Sequence, residues 1–145
     1  MTEARRDLPQ LLGEARRWFE DGLLAALEAG GVPAVTPSQI QLFAALDAEG
    51  TTVAELARRT GVTRQTVHQA VRSLMAAGLL EQVPDPASAR QRLVRRTPAG
   101  RHAHDRARRA VARLESRLAE RIGEEALRAL RSALEAPWGA PPGRR

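Results

Sequence analysis

The chain has 145 residues, a hydrophobic fraction of 43% and a formal net charge of +6, which suits one compact domain with or without a helical appendage. It holds no cysteine, which excludes disulfides, thiolate metal sites and thiol redox sensing. The stretch MTEARRDLPQLL lacks the long apolar region of a signal peptide, and no apolar run approaches the ~18–20 residues that cross a bilayer. A soluble cytoplasmic protein with no membrane partner is expected.

All 23 basic residues are arginine, and they are unevenly spread. Residues 1–55 hold four Arg against nine acids, a balance of −5. Residues 56–101 hold nine against two, a balance of +7, and residues 102–145 hold ten against six, a balance of +4. A positive field concentrated in the middle of the chain points to a polyanion partner.

In chain order, Leu8, Leu11, Leu12, Ala15, Phe19, Leu23 and Leu27 recur at helical spacing and predict a helix from Leu8 to about Ala29. GGVPAV ends it. Thr36 as cap, Pro37 in the first helical position and Gln39 completing a capping box open a second helix, with Ile40, Phe43, Ala44 and Leu46 as its apolar side. After the turn DAEGTT, Thr52 and Glu55 read as another capping box, opening the short helix VAELARRT. Gly61 stands where a left-handed residue is needed to close it. Thr63 caps the next helix, which runs to about Ala77 and stops at Gly78.

A short helix, a tight turn and a second helix form the outline of a helix-turn-helix. LLEQV and RQRLVRRT follow as two predicted strands, joined by PDPASA, whose prolines suit a loop and not a sheet interior. Such a hairpin after a helix-turn-helix is a wing. Thr97 and Pro98 open a long helix to about Ile122, with Ala103, Ala107, Ala110, Val111, Leu114 and Leu118 on one side. Gly123 interrupts it, and Leu127, Leu130 and Leu134 mark a last helix. The segment 136–145, APWGAPPGRR, reads as a flexible tail.

The stretch from Val62 to Ala77 carries the chemistry. At 100° per residue, Val67, Ala70, Val71 and Leu74 fall together and face the core. Gln65, His68, Gln69 and Arg72 fall on the other side. A solvated face normally alternates acids with bases at i,i+4; this one has no acid. Arg matches guanine and Gln matches adenine in bidentate hydrogen bonds. The hydroxyls of Thr63 and Thr66, with the backbone N–H groups and Arg64 at the helix start, suit a phosphate. The wing adds Arg90, Arg92, Arg95 and Arg96 against Asp85, and Arg90, nearest the tip, suits a narrow minor groove.

The segment TVAELARRTGVTRQTVHQAVRSLMAAGLLEQVPDPASARQRLVRRTPAGR, Thr52–Arg101, resembles the MarR family of transcriptional regulators. Arg64 to Arg72 fall on the family's recognition helix, Asp85 and Pro86 at the start of its wing loop, and Arg90 on its wing-tip arginine. Arg96 replaces the Leu that usually precedes TPAGR. The acid near Ser88 and the arginine near Ala89 of the family wing are missing, so its Asp–Arg tether has no counterpart here.

The resemblance implies a mainly α fold. A winged helix-turn-helix DNA-binding lobe would span residues 36–100. A helical dimerisation lobe would be built from the N- and C-terminal helices, 8–30 and 98–135. It also implies a homodimer on double-stranded DNA, an inverted-repeat operator, and repression relieved by a small-molecule effector. Trp18, Phe19, Phe43 and Met75 are the candidates for lining an effector pocket.

Other classes fit less well. There is no phosphate-binding glycine motif, no nucleophile motif and no carboxylate pair in a recognisable setting, so no catalytic residue and no cofactor is assigned. HAHD, His102–Asp105, is the one metal-like cluster, but side chains at i and i+2 on a helix point roughly 200° apart; no metal site is assigned. A sequence-tolerant architectural protein would not need Gln65, Gln69 and Arg72, and a winged helix used only for protein docking would show no salt-dependent DNA binding.

Overall fold

The computed structural model describes residues 5–143. The elements are α1 (Leu8–Ala29), α2 (Pro37–Ala44), α3 (Val53–Thr60), α4 (Arg64–Ala76), β1 (Leu80–Asp85), β2 (Ser88–Arg96), α5 (Pro98–Ile122) and α6 (Glu124–Glu135). The chain is mainly α, with a winged helix-turn-helix at its centre. It divides into two compact units, Met1–Val111 and Ala112–Arg145. The first helix and the start of α5 fall in the first unit with the winged helix.

Local chemistry sets the helix starts. Asp7 caps α1 in a reciprocal box with Gln10, and Thr36 does the same for α2 with Gln39. Thr52 accepts from the Glu55 N–H at 3.2 Å, but the expected box closes in that direction only. The Glu55 carboxylate is taken by Arg58 and Arg59; two charge-assisted bonds outcompete a bond to a neutral backbone N–H. Thr63 caps α4. The Thr97 hydroxyl caps α5 by accepting from Gly100 N–H at 3.0 Å and donates to the Gly78 carbonyl at 2.6 Å. Gly61 closes α3 at φ 72°, a left-handed conformation that a β-carbon would strain, and so turns the chain sharply into α4.

The core of the first unit gathers Leu42 and Leu46, Leu56 of α3, Val67, Val71 and Leu74 of α4, Leu79, Leu80, Val94 of β2 and Ala103 of α5. The core face of α4 is the one its pattern predicts. That of α2 matches only in part: Leu46 is buried as expected, but Leu42, not expected there, is buried too and Ala44 is exposed. Leu42 and Leu46, one turn apart, point into the core. Ile40, Phe43 and Ala44, the rest of the expected apolar side, line a cavity.

The wing is a two-stranded antiparallel sheet, paired from Leu80↔Arg96 to Pro84↔Arg92, then Asp85↔Ser88. Both strands run further than expected, so PDPASA shrinks to a turn at Pro86 and Ala87. Pro84 is tolerated inside β1 because a two-stranded sheet has only edge strands, and its missing N–H can face outward. The pairing jumps by three residues on β2, so Ala89, Arg90 and Gln91 form a bulge near the tip. At the wing's base, Thr51 and Val94 exchange two backbone hydrogen bonds of 2.9 Å, anchoring the hairpin to the turn before α3.

In the second unit, the end of α5 and α6 meet at Gly123, and Arg131 of α6 pairs with Glu115 of α5 at 2.8 Å. No residue of α6 is buried. In the segment after it, the Trp138 indole N–H donates to the Ala133 carbonyl at 2.8 Å.

Candidate nucleic-acid interface and adjoining cavity

The recognition face is built from α4. Its buried row, Val67, Val71 and Leu74, seats the helix on α3 and the base of the wing. That leaves Gln65, His68, Gln69 and Arg72 exposed together. Among the described residues none of these side chains makes a hydrogen bond or ion pair, and the same holds for Arg64. Thr63 and Thr66 are partly spent: their hydroxyls lie 2.9 Å apart, and Thr63 also accepts from the Thr66 N–H.

The four wing arginines part company. Arg95 is paired with Glu81 at 2.7 Å. Arg96 is 9% exposed and points inward. Arg90 and Arg92 are exposed, with side chains that have no partner among the described residues. The tip is ordered by its own polar groups. Asp85 accepts from the Ala87 N–H at 2.9 Å, and the Ser88 hydroxyl accepts from the Arg90 N–H at 3.3 Å.

Behind the face, Arg59 joins α3 to the end of α2. It donates to both carboxylate oxygens of Asp47 at 3.0 Å, to the Ala45 carbonyl at 2.8 Å and to Glu55 at 3.0 Å. Hydrogen bonds from Arg58, then Arg59, lower the Glu55 pKa to about 2, and Arg59 holds Asp47 below the usual carboxylate range. Gln39 ties α2 to α4 by donating to Ser73 at 3.0 Å. Sequence reasoning missed Arg59; its signal is an arginine four residues after the acid Glu55 on a short helix.

A cavity of about 260 Å³ opens between α1, α2 and the start of α5 within the first unit. Its wall is apolar, with Leu27, Ile40, Phe43, Leu79 and Ala107 among its lining. Three polar side chains reach it: Gln39, His104 and Arg108. Gln39 already holds Thr36 and Ser73. Burial, then the charges of Arg96 and Arg108, push the His104 pKa below its ordinary value, against the pull of Asp105. These causes favour the neutral imidazole over the charged one.

Of the four candidates for a pocket, only Phe43 lines this cavity. Trp18 and Phe19 pack edge to face at 4.9 Å elsewhere on α1, and Met75 is 38% exposed on α4. His104 and Arg108 went unseen as pocket residues. They are one turn apart and flank Ala107, which the spacing had already placed on the inner side of α5. His102 and His104 do not converge: His102 is exposed and accepts from Arg106 at 3.3 Å.

Arg96 sits beneath the cavity wall. Its guanidinium donates to the Phe43 carbonyl at 2.6 Å and the Leu46 carbonyl at 3.2 Å, and lies 5.1 Å from the Phe43 ring centroid. It thus holds carbonyls at the C-terminal end of α2, where a cation is favoured. Burial lowers its pKa, opposed by Asp105 and Asp47, yet an arginine keeps its charge.

Residues 35–91 match the family model of the MarR family. Among solved structures, the chain is similar to the transcriptional repressor CouR bound to a 23-mer DNA duplex. The two are 29% identical, over 88% of this chain and 89% of that one, with a TM-score of 0.72. CouR from Rhodococcus jostii RHA1 bound to p-coumaroyl-CoA is 21% identical over 97% of this chain and all of its own (100%), with a TM-score of 0.74. Apo MarR from E. coli is 19% identical over 90% and 96% of the two chains, with a TM-score of 0.72. No curated protein matches the chain.

Proposed function

We propose, on the match of residues 35–91 to the MarR family model, that this chain is a sequence-specific DNA-binding transcriptional regulator of MarR type. The observation that carries this is the division of its arginines. Arg58, Arg59 and Arg95 are paired with acids. Arg64, Arg72, Arg90 and Arg92 are exposed along α4 and the wing tip, with no side-chain partner among the described residues. Unpaired donors cost nothing to strip from an internal partner, so they are ready for bases and phosphates. Gln65, Gln69 and Arg72 read base edges. Arg64, Thr66, His68, Arg90 and Arg92 hold the backbone, and Thr63 positions the helix end. The 29% identical CouR bound to DNA supports the reading.

The regulator acts as a homodimer. Leu8, Leu11, Leu12 and Trp18 of α1, and separately Leu130 and Leu134 of α6, are each at least 36% exposed. Covering a large apolar side chain stabilises by roughly 1.5–3 kcal/mol, and a second copy provides the cover. A two-fold dimer sets two recognition helices one turn apart, about 10 base pairs or ~34 Å, on an inverted repeat.

Repression is relieved by a small amphipathic effector in the cavity. Its apolar body meets the aliphatic wall, and a hydrogen-bond-accepting or anionic end meets His104 and Arg108. CouR has been seen with p-coumaroyl-CoA, and its likeness in fold supports a ligand-responsive reading. Footprinting on the DNA flanking the chain's own gene tests the function. A protected inverted repeat is expected. Equal affinity for that DNA and for shuffled sequence at fixed salt would instead show a sequence-tolerant coating protein.

A further inference from the structure

Arg96 is the one described residue whose side chain has a buried nitrogen without a hydrogen-bond partner, its Nε. It belongs to β2, the strand whose far end carries Arg92 and Arg90. Its guanidinium grips two carbonyls at the end of α2 and stacks near Phe43, and Phe43 lines the cavity. Two residues before it, Val94 is stitched to Thr51 at the wing's base. No carboxylate lies within ion-pair distance of Arg96 among the described residues, so these carbonyls and the Phe43 ring carry most of its stabilisation.

We infer that Arg96 is the positioning residue that couples the filling of the cavity to the setting of the wing. The physical chain is short. An occupant that presses on Phe43 shifts the ring and the end of α2. The guanidinium then loses its ring contact or its two carbonyls, and a buried arginine with an orphaned Nε cannot absorb that loss in place. The low-cost response is for Arg96 to move with Phe43. That draws the base of β2 with it and changes the reach of Arg90 and Arg92. Phe43 also approaches His104, at 6.1 Å between ring centroids, so contacts at the polar end of the cavity feed into the same lever.

This inference rests on the reading of the cavity as the effector site, but its test needs neither effector nor DNA. Ala107→Phe places a ring in the cavity from α5 as a permanent occupant. Amide hydrogen exchange at Thr51 and Val94, whose N–H groups close the base of the wing, reports the setting of β2. In the protein with Arg96, Ala107→Phe should speed exchange at these amides by about tenfold. In Arg96→Leu the same substitution should leave them unchanged, and Arg96→Lys, which keeps the charge but not the fork, should restore only part of the response. If Ala107→Phe fails to fold, Ile40→Phe fills the cavity from α2. Equal, additive effects of filling with and without Arg96 would overturn the inference while leaving the effector site standing. An intact coupling in a protein that binds no amphipathic ligand would do the opposite.

Discussion

A β-carbon on Gly100 would lie 2.0 Å from the carbonyl oxygen of Leu79. The first turn of α5 thus rests directly on the chain as it leaves α4 and enters the wing, with Thr97 N–H donating to the same Leu79 carbonyl at 3.1 Å. The obstacle is backbone and cannot swing aside. Gly100→Ala should therefore destabilise the fold by about 1–3 kcal/mol or more. Urea titration checks it, and an unchanged midpoint would mean that α5 does not pack this closely.

The Arg59 network predicts acid sensitivity. Hydrogen bonds from Arg58 and Arg59 depress the folded-state pKa of Glu55 to about 2 from its ordinary value of 4.5. A depressed carboxylate stabilises fully above its unfolded pKa and loses that contribution as pH falls through the folded value. Stability should thus decline between about pH 4.5 and 2, and Asp47, also lowered, should add to the fall. Thermal melts across this window should show a shallower slope for Glu55→Gln. Parallel slopes would remove the pair from the account.

Arg90 and Arg92 should behave unlike Arg95, though all three lie on β2. Arg90→Ala and Arg92→Ala should weaken operator and random DNA alike, each lowering the log–log salt slope by roughly 0.9 per lost phosphate contact. Arg95→Ala should change the slope less, because Glu81 already engages that guanidinium at 2.7 Å. Equal slopes for all three variants would show that the ion pair does not survive on DNA.

The exposed apolar row of α6 predicts assembly. Leu130→Asp with Leu134→Asp should convert a dimer into a monomer by light scattering at micromolar concentration, and abolish operator binding without touching α4. A wild-type monomer at that concentration contradicts the dimer outright.

The legible parts of this fold were those set by local chemistry. Thr36, Thr63 and Thr97 mark helix starts through their own hydroxyls, and Gly61 marks a turn that a β-carbon would strain. The exposed row Gln65, His68, Gln69 and Arg72 follows from period alone. What stayed hidden depends on partners far along the chain. Nothing local to Arg96 says that its guanidinium turns inward to the carbonyl of Phe43, 53 positions away. Nothing local to Glu55 says that two arginines take the carboxylate meant for a cap. His104 and Arg108 become cavity residues only when α1 and α2 close over α5. Pro84 seemed to end a strand because its place on a two-stranded sheet, where every strand is an edge, is a property of the whole wing.

The central claim is that α4 reads sequence, and Arg72 tests it most directly. Its side chain is exposed at the C-terminal end of the free row and has no partner among the described residues to lose. Anisotropy titrations at one fixed salt concentration should be run with wild type and Arg72→Ala, each against the footprinted operator and a shuffled duplex. The account predicts a loss of about 1–3 kcal/mol on the operator, a much smaller loss on the shuffled duplex, and relaxed preference at one base position in each half-site. Equal losses on both duplexes would show that Arg72 only holds phosphate and that this helix does not read the sequence.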